Sequence, residues 1–136
     1  MIGCMKWRMC NMKIKIQVII EYENGRNITT QEIACLSRGD LLPESLGLTF
    51  AECKDLLSKM QKEMVHHQVA EYIQQHRSCT HCGSDHSLKE SKTISFRTPF
   101  GKLKLNSPRY YTCSCRPQTK KSYSPLAAAL PERVSP

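Results

Sequence analysis

The chain has 136 residues, the size of one ordinary domain or two very small ones, which leaves no room for a large multi-domain enzyme. Twenty Lys and Arg outnumber 12 Asp and Glu, a formal net charge of +8 at pH 7, and that excess favours a polyanionic partner, nucleic acid first, over a neutral small molecule. Lys6, Arg8, Lys13 and Lys15 interrupt the first twenty residues and no apolar run approaches the roughly 18 residues of a membrane span, so neither a secretion signal nor a membrane partner is expected. A reducing cytoplasm is the expected setting, where the clustered ones among the eight cysteines read as metal ligands before disulfides.

Residues 1–11 show no periodicity and are expected to form an unstructured leader, with Met12 an alternative start. From there Ile14, Ile16, Val18, Ile20 and Tyr22 alternate with Lys13, Lys15, Gln17, Ile19 and Glu21, the period of a half-buried strand. Asn24-Gly25 supplies residues suited to a tight turn, and a return strand through Ile28 and Thr30 to about Leu36 completes a β-hairpin, with its connection extending to residue 48. Cys35 on that strand and Cys53 on the following helix are expected in the core.

Leu48-Thr49-Phe50-Ala51-Glu52 opens a helix over 49–77, with Thr49 as cap and Glu52 as its capping-box partner. Cys53, Leu57, Met60, Met64, Val65, Val69, Tyr72, Ile73 and His76 draw a drifting apolar stripe along it. A helix of this length spans about 40 Å, more than a two-stranded hairpin covers, so a second copy or a further segment is expected to pack on the remainder. His66 and His67 point about 100° apart and do not suit one ion.

The helix runs into Cys79-Thr80-His81-Cys82-Gly83, and Cys113-Ser114-Cys115 follows about thirty residues later. Two thiolates at that first spacing grip one side of a zinc ion, and Gly83 stands where the turn has to aim N–H groups at sulfur. Between the pairs, Thr93 to Phe96 and Lys102 to Leu105 are strand-prone around the turn signal Pro99-Phe100-Gly101, giving the layout of a zinc ribbon over 78–116. Cys79, Cys82, Cys113 and Cys115 are the expected Zn2+ ligands. A site in which His81 or His86 replaces one of them, or free thiols, are the alternatives. A four-thiolate site has no open position, so the zinc is expected to be structural. The stretch 86–121 carries nine basic residues against Glu90 alone, and Lys92, Arg97, Lys102, Lys104 and Arg109 are the candidate phosphate contacts, with Tyr110 or Tyr111 available to stack. Residues 117–136, with Pro117, Pro125, Pro131 and Pro136, read as a flexible linker or tail in which 126–130 can form a helical turn or two. The expected fold class is therefore α+β: a β-hairpin, one long helix, a small zinc-ribbon unit and a tail.

MKIKIQVIIEYENGR, then IACLSRGDL with PE and LGLT, VAEYIQQHRSC with HCG, FRTPFGKLKLNSPRYYTCSC and SYSPLAAALPERVSP stand in an order that resembles the N-terminal region of the ISKra family of insertion-sequence transposases, over nearly the whole chain. The resemblance implies metal ligation by Cys79, Cys82, Cys113 and Cys115, strands between Phe96 and Tyr111, binding of mobile-element DNA, dimerisation or higher assembly, and a nucleoid-associated place in a bacterial cytoplasm. It also implies a longer partner region with an RNase H-like catalytic domain. Here the only aspartates are Asp40, Asp55 and Asp85, which supply no acidic cluster for a two-metal site, so the chain reads as a truncated or split transposase part that does not cut or join DNA itself. Two other readings are an assembly module that forms a homodimer through the long helix, with purely structural zinc, and an inactive remnant.

Overall fold

The computed structural model describes residues 12–23, 25, 28–115 and 121–134; the expected leader and Asn24 of the expected turn lie outside them. The fold is α+β, as the sequence predicts. The elements are β1 (Met12–Glu21), β2 (Ile28–Arg38), a short 3-10 turn (Pro43–Ser45), α1 (Phe50–Gln75), β3 (Leu88–Thr98), β4 (Gly101–Tyr111), β5 (Ser122–Tyr123) and α2 (Pro125–Ala129). They fall into two compact units, residues 1–63 and 64–136, with the boundary inside α1.

In the first unit β1 and β2 form a two-stranded antiparallel sheet in which Glu21 closes on Ile28, so six positions separate the strands rather than a tight pair. Within them the Gly25 N–H donates to the Tyr22 carbonyl at 2.9 Å and Gly25 takes φ 69°, a left-handed value that glycine tolerates without steric cost. The pairing slips between Ile16 and Gln17, which face Ala34 and Glu32, and the extra residue Ile33 bulges out and is buried. Cys35 is exposed, contrary to expectation: it pairs with Lys15 on the polar face because its neighbour Leu36 takes the inner position opposite Ile14. Cys53 is half-buried.

Arg38 ties the end of β2 to the start of α1. Its guanidinium donates to the Ser45 carbonyl at 3.0 Å, to the Gly47 carbonyl at 2.9 Å and to the Glu52 carboxylate. Glu52 also accepts from the Thr49 N–H at 2.9 Å while the Glu52 N–H donates to Thr49 Oγ1 at 3.1 Å, the reciprocal capping box that the sequence predicts. Arg38 and then the Thr49 N–H hold the Glu52 carboxyl below its usual pKa.

The second unit is a three-stranded antiparallel sheet in the order β3-β4-β5. Alternation along β3 and β4 turns Ile94, Leu103 and Leu105 inward, and α2 adds Leu126; Leu105 and Leu126 are 1% and 2% exposed. Phe96, Leu130 and, from the second half of α1, Val65 and Val69 pack around this cluster. The described part of 117–136 is therefore built into the fold instead of forming a linker. Ser122–Tyr123 pairs with Tyr110–Tyr111, Ser124 Oγ caps α2 at the Ala127 N–H, and the Arg97 N–H donates to the Arg133 carbonyl at 3.0 Å. No residue of α1 is fully buried, and Met64 on the expected stripe is 48% exposed. No helix among the described residues is long and apolar enough to cross a membrane.

Candidate metal centre

The end of α1 is tied down before the cysteines begin. Tyr72 and His76 stack with ring centroids 4.0 Å apart, and Tyr123 donates its hydroxyl to the His76 carbonyl at 2.6 Å. The chain then folds into a small loop whose base is closed by the His86 N–H on the Arg77 carbonyl at 2.8 Å and by Ser78 Oγ on Asp85 at 2.8 Å. At its tip the Gly83 N–H donates to the Cys79 carbonyl at 3.0 Å and the Cys79 N–H to the Ser84 carbonyl at 2.8 Å. Gly83 has φ 76°, which a side chain would strain, and this turn is why the cysteine pair is followed by glycine.

That geometry brings Cys79 and Cys82 to Cys113 and Cys115, which follow directly on β4. Cys79 Sγ lies 3.6 Å from Cys115 Sγ, Cys82 Sγ lies 3.3 Å from Cys113 Sγ, and all four sulfurs fall within 4.8 Å of one another. The four are free thiols, since an S–S bond is about 2.05 Å. A tetrahedron of thiolates about 2.3 Å from a zinc ion has edges of about 3.8 Å, so these four side chains fit such an ion with small adjustments. The narrow spacing of the second pair works because the chain turns there: the Cys115 N–H donates to Cys113 Sγ at 3.4 Å, as the His81 N–H does to Cys79 Sγ. Neither His81 nor His86 belongs to the group of sulfurs.

The electrostatics are those of thiols crowded into one place. Cys79 ionises more easily than a free thiol because the Cys82 and His81 N–H groups bond its sulfur. The Ser84 hydroxyl and N–H bring Cys82 down to about 6. Cys113 is raised: the Cys115 N–H works the other way, but sharing with Cys82, burial and Cys79 outweigh it. Cys115 is pushed up to about 12 by the neighbouring Cys113 and Cys79. Four thiolates this close would repel one another, and a divalent cation at their centre is the natural counter-charge.

The basic candidates separate into two groups. Arg97 pairs directly with Lys102, and Ser95 with Lys104, on the face of the β3–β4 hairpin opposite the core, and all three basic side chains are exposed. Lys92 stands on the other face, 4.0 Å from Glu90, and Arg109 is half-buried with its guanidinium on Ser122 Oγ at 3.2 Å. Sequence reading thus groups five residues where the register unites three. It also passes over Lys89, whose ammonium lies 5.9 Å above the ring of the exposed Tyr111. Compared with family models, curated proteins and solved structures, the chain matches none of them.

Proposed function

We propose that residues 64–134 form a zinc-stapled ribbon that binds nucleic acid through the outer face of its β3–β4 hairpin. The observation that carries this reading is the convergence of Cys79, Cys82, Cys113 and Cys115 within 4.8 Å at one end of a hairpin whose other end bears Arg97, Lys102 and Lys104 on its outer face. Bound there, zinc supplies structural cross-linking of the end of α1 to the end of β4. The three cations meet phosphates. The resemblance of its motif order to that of the ISKra transposases is what points to mobile-element DNA as the target, with recognition rather than strand cleavage as the role of this chain. Fluorescence anisotropy of the zinc-loaded chain on duplex DNA tests it: binding at low salt that weakens as salt rises is expected, and no binding at low salt removes the nucleic-acid role.

A second reading, compatible with the first, is self-association. It rests on the first unit, where Ile33 is the one buried side chain among the described residues, and on α1, none of whose 26 residues is buried. Sedimentation equilibrium tests it, a monomer at high concentration being the outcome that removes it.

A further inference from the structure

The edge of β1 from Lys13 to Glu21 meets no strand among the described residues, since the first sheet contains β1 and β2 alone. The strand is ten residues long, holds no proline, and the bulge of the hairpin falls on β2 at Ile33. Long, regular, apolar edges of this kind pair with further strands unless charge or irregularity prevents it, and a two-stranded sheet is marginal by itself.

The charges on β1 identify the strand that fits. Inside the hairpin none of them meets an opposite charge: Lys13 faces Ser37, Lys15 faces Cys35, and Glu21 faces Ile28. When β1 is laid antiparallel against a copy of itself with the two-fold axis at Gln17, Lys13 stands opposite the partner's Glu21. On the other face Ile14 then meets the partner's Ile20, and Ile16 the partner's Val18. A shift by one residue sets Lys13 against the partner's Ile20 and breaks both faces. A shift by two, centring on Val18, sets Lys15 opposite the partner's Glu21 but keeps only residues 15–21 paired inside β1, whereas the register at Gln17 pairs residues 13–21. Two lysines at one end and a glutamate at the other would deter a foreign strand, yet they match this one in antiparallel register.

We propose that two copies of the chain pair through the outer edges of β1, forming a four-stranded antiparallel sheet with Lys13 of each opposite the partner's Glu21. The proposal rests on the self-association reading and is independent of the metal and of DNA. It makes a sheet large enough to stand without further support, and doubles the inner face formed by Ile14, Ile16, Val18 and Ile20.

Sedimentation equilibrium on the full zinc-loaded chain and on K13E, E21K and K13E/E21K tests it. Lys13 and Glu21 are exposed, so the variants keep the fold, which circular dichroism checks. A dimer is expected whose dissociation constant rises about tenfold in each single variant, because symmetry places the like-charge pair twice, and returns towards the parent value in the double variant. A dimer equally stable in all four proteins overturns the strand-edge contact, and a double variant as weak as the singles overturns the pairing of Lys13 with Glu21; either leaves self-association standing. A monomer throughout overturns both.

Discussion

Arg97 and Lys102 stand directly opposite each other across β3 and β4, two cations on adjacent strands with no acidic residue in the pair. Like charges so placed weaken a hairpin, so the folded ribbon carries the pair at a cost that an anionic partner would relieve. Replacing Arg97 with Gln is expected to leave thermal stability unchanged or slightly raised while weakening duplex DNA binding. With three phosphates engaged by Arg97, Lys102 and Lys104, the slope of log affinity against log salt should be about −3 and should lose about 1 in R97Q. Anisotropy titrations over a salt series check both numbers, and an unchanged slope removes Arg97 from the contact surface.

Metal content follows from the thiols. One zinc per chain is expected by elemental analysis, and cobalt substitution should give the strong visible absorption of tetrahedral thiolate ligation. Cys113→Ser should weaken metal binding without collapsing the apolar cluster at the far end of the hairpin. Hydrogen exchange in that variant should rise around residues 77–88 and 110–115 and stay low at Leu103 and Leu105.

Acid should release the metal, and the sign follows from the thiols. With Cys115 pushed up to about 12, metal binding must expel its proton at every ordinary pH, so affinity grows as pH rises. Cys82, at about 6, adds its own proton competition only when pH falls below that value. Competition with a chromophoric chelator between pH 5 and 8 should therefore show affinity falling with acidity, more steeply at the acid end. A flat profile would mean that ligands other than thiols hold the ion.

The Arg38–Glu52–Thr49 corner gives a second pH dependence. Glu52 has a pKa held below its usual 4.5, so its stabilising contribution is complete above that value and is lost as pH falls through the lowered one. Glu52→Gln should remove this contribution near neutral pH and leave the two proteins alike in strong acid. Thr49→Ala, which takes away the cap itself, should cost about 1 kcal/mol by denaturant titration.

Leu126 tests whether the end of the chain belongs to the ribbon. The side chain is 2% exposed among Ile94, Leu103 and Leu105, and Leu126→Ala should cost about 3 kcal/mol in the unfolding of the second unit. A change near zero would mean that α2 is not seated there in solution.

Much of this was legible in the residues themselves. The capping box and the cysteine spacing each fix a local geometry from a few neighbouring positions, and both appear in the structure as read. What escaped depended on phase or on partners distant in sequence. Cys35 is apolar enough for a core, but strand alternation grants the inner position to only one of two neighbours, and Leu36 holds it. Lys92 and Arg109 share the charge of Arg97 and Lys102, yet only pairing register sorts them by face. The prolines after residue 116 suggested a linker. Ser124-Pro125 is equally a helix-start signal, with Ser as cap and Pro in the first turn, and it precedes the most deeply seated leucine outside β4.

The β3–β4 hairpin is clamped at its two ends by unlike chemistries, sulfur at the Leu88–Tyr110 end and hydrocarbon around Phe96 and Leu103. The two clamps answer to different stresses. Oxidants, chelators and acid loosen the sulfur end, while cold, which weakens apolar association, acts on the other. The strand face bearing Arg97, Lys102 and Lys104 lies at the hydrocarbon end, so a chain whose sulfur end is disturbed should still present those cations in register.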